Sequence, residues 1–318
     1  MARRALVVAA ALSLVAWAGS SAFAEFPDRT IEIVVPFGVG NAADVTARFL
    51  AEGMAKRLGV SVVVANRPGG GGAVAFTYVQ QRPADGYTLG YITSTVSTNY
   101  YAGILQFDHT AFAPIARVTI ETPVLVVRSA APWQTVAEMV QEARQAPGKL
   151  RIGNSGTGTH THLSASALFI GAGATVIDVP FGEGGATVNL LGERVEGVVQ
   201  LPPALIGHVK SGELRVLAAL GSKRDRAFPD TPTATEAGFP VALDLWRGIV
   251  VPKGAPPDVI AKLDGAIRET VVSPEFEEAG LRIGFLPAFL PASDFAALIA
   301  GDDRKLADIM AELGLKKR

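Results

Sequence analysis

The chain has no cysteine, so no disulfide and no thiolate metal site is possible, and an oxidising compartment would be tolerated without being used. It also lacks a charge excess. With 29 basic and 30 acidic side chains, it has no electrostatic reason to bind nucleic acid or anionic lipid. Only four histidines occur in 318 residues, which leaves few candidates for a general base or a metal ligand. No apolar run reaches the roughly 20 residues that a membrane-spanning helix needs.

The one conspicuous apolar run, residues 5–18, follows Arg3 and Arg4 and precedes Ala22, Phe23 and Ala24. Basic segment, apolar core and small-x-small site together make a secretory signal peptide, removed after Ala24. Nearly 300 residues remain, more than one hydrophobic core usually holds, so two domains of roughly 100 to 200 residues are expected.

Short β-branched runs at residues 31–35, 62–65, 87–93, 124–128, 150–153, 175–180, 195–201, 215–220 and 248–251 alternate with helical patterns. That is a βαβ march, and the sheets are expected to be largely parallel. In the first helix Ala47, Leu50, Ala51, Met54 and Leu58 make one apolar stripe. Arg48, Glu52 and Lys56 lie opposite at four-residue spacing, giving two expected ion pairs. Thr135 and Glu138 form a capping box ahead of Val136, Met139, Val140 and Ala143. Residues 257–270 and 293–313 read as two long amphipathic helices, with no strand run longer than 283–286 between them. No floppy linker separates the halves, which suggests lobes joined by crossing strands near residues 121–125 and 245–250.

Three glycine-rich turns each follow a strand and precede a helix: VVPFGVGNAAD (34–44), NRPGGGGAV (66–74) and GNSGTGTHTHL (153–163). Glycine lets the backbone approach a ligand closely, and a helix start presents free N–H groups, so each turn is a candidate anion site or simply a tight turn. Asp44 at the start of the first helix is expected to be its N-cap. The nucleotide signatures fail: the first turn matches GxGxxA without the acidic residue that should follow, and no GxxxxGK occurs. Gly153 to Thr157 nearly spell GxSxG around Ser155, but the fifth position is Thr157, and His208 is the only downstream histidine that could complete a triad. His208 reads as a surface or helix-end residue. His160 and His162 are two apart, with no carboxylate or cysteine close in sequence, so no metal site is expected.

Taken together, FPDRTIEIVVPFGVGNAADVTARFLAEGMAKRLG, VVVANRPGGGGAVAF, PADGYTLGY, FAPIARV, LRIGNSGTGTHTHLSASALF, VPFGEGGATVNLLGERVEGVV, SGELRVLAALGSKRDRAFPDTPTATEAGFP and WRGIVVPKGAPPDVIAKL resemble the Bug family of periplasmic binding proteins. These are the extracytoplasmic receptors of tripartite tricarboxylate transporters. WRG and VPFGEGG look closer to the tricarboxylate-receptor branch. The resemblance implies an α/β, two-lobe periplasmic binding protein of type II, the Venus flytrap, each lobe a mainly parallel sheet flanked by helices. It divides the chain into a leader (1–24), a first lobe (25–123), a second lobe (124–245) and a C-terminal return to the first lobe (246–318). It implies a small organic carboxylate ligand, di- or tricarboxylate or an aromatic acid, transporter membrane subunits as partners, no cofactor, no enzymatic activity, periplasmic location and a monomer.

Carried over by position, the ligand-binding residues are Phe37, Gly38, Gly40 and Asn41, with Thr93, Ser94 and Thr95, in the first lobe. The second lobe offers Ser155, Thr157, Gly158, Thr159 and His162, then Phe181, Gly184, Gly185 and Ala186, then Gln200 and the turn at Pro202 and Pro203. Arg247 either pairs with a ligand carboxylate or forms a structural ion pair near the hinge. The chain departs from the family where Asn41 replaces a usual glycine and Ala43 a usual Ser or Thr, losing one hydroxyl donor and gaining one amide. Two alternatives remain open: a periplasmic serine hydrolase using Ser155, and a ligand sensor for a membrane signalling partner.

Overall fold

The computed structural model describes residues 26–181 and 185–317. The expected signal peptide and Gly184 lie outside the described residues.

The strands form two sheets. The first contains β1 (Ile31–Val35), β2 (Val62–Asn66), β3 (Thr88–Thr93), β4 (Phe112–Glu121), β10 (Leu245–Pro252) and β11 (Leu286–Pro291), in the order β11-β4-β10-β3-β1-β2. The second contains β5 (Val124–Arg128), β6 (Arg151–Asn154), β7 (Ile177–Pro180), β8 (Gly197–Gln200) and β9 (Leu214–Ala219), in the order β7-β6-β8-β5-β9. The chain passes from the first sheet to the second through Thr122 and Pro123, and returns through residues 220–244.

Both sheets are mixed, not mainly parallel. Within each lobe most strands linked by a helix run parallel, as β1 with β2 and β3 and β6 with β7 and β8 do. The strands that flank the crossings differ. A chain that leaves a lobe along one strand comes back along its neighbour in the opposite direction, so β10 is antiparallel to both β4 and β3, and β9 to β5. At the edge, β11 pairs antiparallel with β4. Its Pro287 and Pro291 remove ladder donors and hide it from a strand pattern, and an edge position is where proline is tolerated.

The helices are α1 (Ala42–Leu58), α2 (Ala73–Gln80), α3 (Thr95–Tyr101), α4 (Val136–Gln145), α5 (His160–Gly171), α6 (Gly185–Leu191), α7 (Ile206–Lys210), α8 (Pro257–Val271), α9 (Pro274–Ile283) and α10 (Ala292–Glu312). Alternation along the strands divides each core into two faces. Ile31, Ile33, Val35, Ile249 and Val251 meet α1 and α8 on one side of the first sheet, while Val34, Trp246 and Val250 meet Phe295 and Ile299 of α10 on the other.

At the start of α1 the cap is Asn41, whose Oδ1 accepts the Ala43 N–H at 3.0 Å; Asp44 stands one turn in. Asp44 accepts from Gly40 N–H, Arg48 and Asn66. Burial would raise its carboxyl, but these donors outweigh it and hold the group below the usual range. Arg48 is thereby taken from Glu52, which pairs only with Lys56 of its two expected partners. The expected capping box forms by half: Thr135 Oγ1 accepts Glu138 N–H, but Glu138 accepts from Gln134 N–H, one residue before the cap, and not from Thr135. Between the two long C-terminal helices the structure adds α9, capped by Ser273, as well as β11.

The residues 246–248 set α10 against the first sheet. Trp246 donates Nε1–H to Asp302 at 2.7 Å and meets Phe295 edge-to-face, with ring centroids 5.1 Å apart. A Cβ on Gly248 would come within 2.3 Å of the Phe295 ring and 2.7 Å of Ala116 O, so only glycine lets Phe295 seat there. Gly248→Ala is expected to cost about 1–3 kcal/mol through overpacking. Urea denaturation measures it, and an unchanged midpoint would refute this close packing.

Candidate functional site

Both passages between the sheets enter the first lobe at one place. Glu121 is the last residue of β4, and Arg247 lies two residues after Leu245, which is opposite Glu121 in the β4–β10 ladder. Residues two apart in a strand share a face, so Glu121 and Arg247 are diagonal neighbours. Arg247 Nε and Nη2 donate to the two Glu121 oxygens at 2.5 and 3.1 Å, with side chains only 1% and 0% exposed. Burial opposes the guanidinium charge, but the facing Glu121 prevails and pushes its pKa up. Nη1 is buried and has no hydrogen-bond partner among the described residues.

Arg247 lines a gap between the lobes together with Phe37, Asn41, Thr93, Thr95 and Leu245 from one side and Ser155, Thr159, His160, Thr161 and Leu201 from the other. Its cavity is about 20 Å³, room for roughly one water. Ala42, Leu201 and Leu245 meet across it as a small apolar cluster. Polar contacts also cross: Ser94 Oγ lies 3.0 Å from His160 Nδ1, and Thr98 Oγ1 donates to Gly158 O. The lobes are closed on each other.

The turn from β6 to α5 uses most of its own amides. Ser155 N–H donates to Thr161 Oγ1, Gly156 N–H to Asn154 Oδ1, Gly158 N–H to His162 Nδ1, and His162 N–H to Thr159 Oγ1. Side chains of the turn therefore cap it, and the groups turned to the gap are mainly hydroxyls, an imidazole and Arg247. Ser155 Oγ itself donates to Gln200 Oε1 at 3.1 Å, and Gln200 Nε2 is buried without a partner among the described residues.

The model of the tripartite tricarboxylate transporter family receptor matches residues 46–315. The chain belongs to this receptor family. BugT of Bordetella pertussis is 30% identical to this receptor over 92% of this chain and 91% of that protein. An R. palustris protein solved with adipate shares 27% identity, covers 91% of this chain and 99% of its own, and superposes with a TM-score of 0.87. MatC from Rhodopseudomonas palustris, solved with bound malate, gives 26% identity, coverage of 89% and 99%, and a TM-score of 0.82. The family and these neighbours are solute-binding receptors of two-lobe form, and the receptor is not an enzyme. The hydrolase alternative at Ser155 also lacks its base: no imidazole bonds to Ser155, and the one in the gap, His160, accepts from or donates to Ser94. His208 is half-exposed and pairs with Glu213.

Of the remaining residues expected in the receptor's site, several stand elsewhere. Thr157, Gly158 and His162 line a different cavity of about 340 Å³, shared with Thr98, Ile104 and Met310. His162 reaches Asp178 at 3.4 Å and so braces the turn from behind. Ser94 lines a third cavity, of about 320 Å³, with Arg117, Trp246 and Asp302. Phe181 packs over Gly153, Gly185 and Ala186 begin α6, and Pro202 sits beside Gly284 of the first lobe. Gly38 accepts Asn41 N–H and Gly40 donates to Asp44, so both shape the first turn. The second glycine-rich turn does not line the Arg247 cavity, but it meets the second lobe, since a Cβ on Gly71 would come within 2.7 Å of Thr157 O; the Gly70 and Gly71 carbonyls accept from Asn99 of α3.

His160, Thr161, Leu201, Leu245 and Glu121 were not expected. His160 and Thr161 are the first two residues of α5, where a helix start faces what precedes it, a signal the sequence did contain. Glu121 carried none, because its partner is 126 residues away.

Arg247→Ala is expected to cost about 3–5 kcal/mol, since it leaves Glu121 buried and unpaired. Replacing both members, Glu121→Leu with Arg247→Met, is expected to restore most of that loss. Chemical denaturation of the three proteins decides it; a double variant as unstable as Arg247→Ala would show that the pair matters for something beyond its charges.

Proposed function

We propose that this receptor captures a small organic dicarboxylate or tricarboxylate in the gap between its lobes, in the periplasm and as a monomer, after removal of an N-terminal leader. It hands the ligand to the membrane subunits of a tripartite tricarboxylate transporter. The observation that carries this reading is the buried Arg247 Nη1, without an acceptor among the described residues, in a gap whose other polar lining is Asn41, Thr93, Thr95, Ser155, Thr159, His160 and Thr161. A carboxylate supplies acceptors to such a set, and hydrogen bonds to a charged group are worth about 1.5–3 kcal/mol each. A few of them suffice for micromolar binding after desolvation. The adipate and malate held by the two structural neighbours point to the same ligand chemistry.

The cavity of about 20 Å³ is too small for such an acid in the closed arrangement, so entry requires the lobes to part and re-close around the guest. Asn41 supports a binding mode of its own, because its Oδ1 caps α1 while no acceptor among the described residues engages its Nδ2.

A thermal-shift screen over malate, adipate, citrate and aromatic monocarboxylates tests the reading. A ligand at about 100 times its dissociation constant adds roughly 2.7 kcal/mol of stability, visible as a shift of several degrees. Calorimetric titration of Ser155→Ala against the best hit is expected to show about tenfold weaker binding. If no acid shifts the parent, the carboxylate reading fails. If an acid binds but reconstituted membrane subunits take up none of it, delivery fails and sensing for a membrane partner takes its place.

A further inference from the structure

Two of the three glycine-rich turns face each other across the lobes. In the first lobe Gly71 has φ +62°, and a Cβ built on it would lie 2.7 Å from Thr157 O of the second lobe. In the second lobe Gly158 has φ +77°, and a Cβ there would lie 2.7 Å from Asn99 Oδ1 of the first. Neither direction has room for a side-chain atom, so the turns meet backbone to backbone. Helix α3 ties them together. Fully buried Asn99 donates Nδ2–H to Gly71 O at 2.9 Å and holds the first-lobe turn, while its neighbour Thr98 donates Oγ1–H to Gly158 O of the second-lobe turn.

We propose that Gly71 and Gly158 are positioning residues for ligand capture: the second glycine-rich turn is the seat on which the turn before α5 comes to rest, and full closure needs glycine at both positions. Neither residue lines the Arg247 cavity, so neither acts by touching a carboxylate there. The proposal deepens the capture reading above and rests on it, since closure is what retains a guest.

The chain on either side of Gly158 carries the effect into the gap. Thr159, His160 and Thr161 follow it, Ser155 precedes it, and all four line the cavity opposite Asn41, Thr93, Thr95 and Arg247. The turn is braced within itself, by Gly158 N–H on His162 Nδ1 and Thr159 Oγ1–H on Gly156 O, so it moves as one piece. A seat raised by one side-chain atom therefore draws the two sets of polar groups apart, and hydrogen bonds weaken steeply over such a shift. A backbone oxygen such as Thr157 O does not turn aside as the end of a flexible side chain does, so parting the lobes relieves the clash. Gly70 supplies the comparison. It stands in the same turn with φ +58°, and a Cβ on it would meet Ala73 Cβ of its own lobe at 3.2 Å. Alanine at 70 or at 71 carries a similar left-handed backbone cost, but only at 71 does it strike the other lobe.

The absence of cysteine makes the test direct. Val188→Cys on the second lobe and Val272→Cys on the first, both well exposed, accept spin labels whose separation reports closure. Distances are recorded for the ligand-free protein and with malate or adipate added. The parent and Gly70→Ala are expected to share a short-distance population. In Gly71→Ala and in Gly158→Ala that population is expected to fall about tenfold, the scale of an overpacked contact. Asn99→Ala removes the atom that the Gly158→Ala methyl would strike, so combining the two is expected to recover part of the closed population. Circular dichroism verifies that each variant is folded. Gly71→Ala and Gly158→Ala distributions that match the parent overturn the proposal, as does a loss in Gly70→Ala equal to that in Gly71→Ala. A double variant as open as Gly158→Ala overturns it too, and so does a parent with no short-distance population under any condition. Melting of the parent with each acid is followed alongside: acids that leave it unchanged count against carboxylate capture, whereas the seat is read from the distances.

Discussion

Two charges taken out of water at the base of the gap constrain everything around them. Glu121 and Arg247 sit at the ends of strands that lead out of and back into the first lobe, and neither tolerates burial without the other. Their pairing holds β10 between β3 and β4, which brings Trp246 to Asp302 and leaves room at Gly248 for Phe295. A bidentate carboxylate uses two of the three guanidinium nitrogens. The third remains buried at the gap, so one structural ion pair and one unsatisfied donor are the same residue.

The second lobe meets this charge with side chains more than with backbone. Most amides of the turn before α5 are already taken by Asn154, Thr159, Thr161 and His162. Such self-capping makes the turn rigid before anything enters the gap, and rigidity reduces the entropy lost on binding. On the proposed reading it leaves recognition to hydroxyls and to Arg247. Those groups vary by substitution in a way that backbone amides do not, so relatives with one fold can take different acids.

Local patterns in the sequence translated well wherever neighbours in the chain are neighbours in space. The stripe of α1, the Thr135 cap of α4 and the βαβ march are all short-range, and all are present. Errors arose where a distant residue competed. Arg48 leaves Glu52 for Asp44, because Asp44 is pinned by Asn66 from the next strand. His162, expected at the ligand, lies 3.4 Å from Asp178 on β7 and lines a different cavity from Arg247.

Repeated strand-helix alternation and glycine turns ahead of helices determine, without any coordinates, an α/β chain of two lobes, because backbone periodicity and φ preference are properties of consecutive residues. Which groups face the gap is different. Glu121 with Arg247, Ser94 with His160 and Thr98 with Gly158 join residues tens to more than a hundred positions apart. Only the packing of one lobe against the other brings them within bonding distance, since hydrogen bonds and desolvated charges depend on ångström-scale proximity that spacing along a chain does not encode.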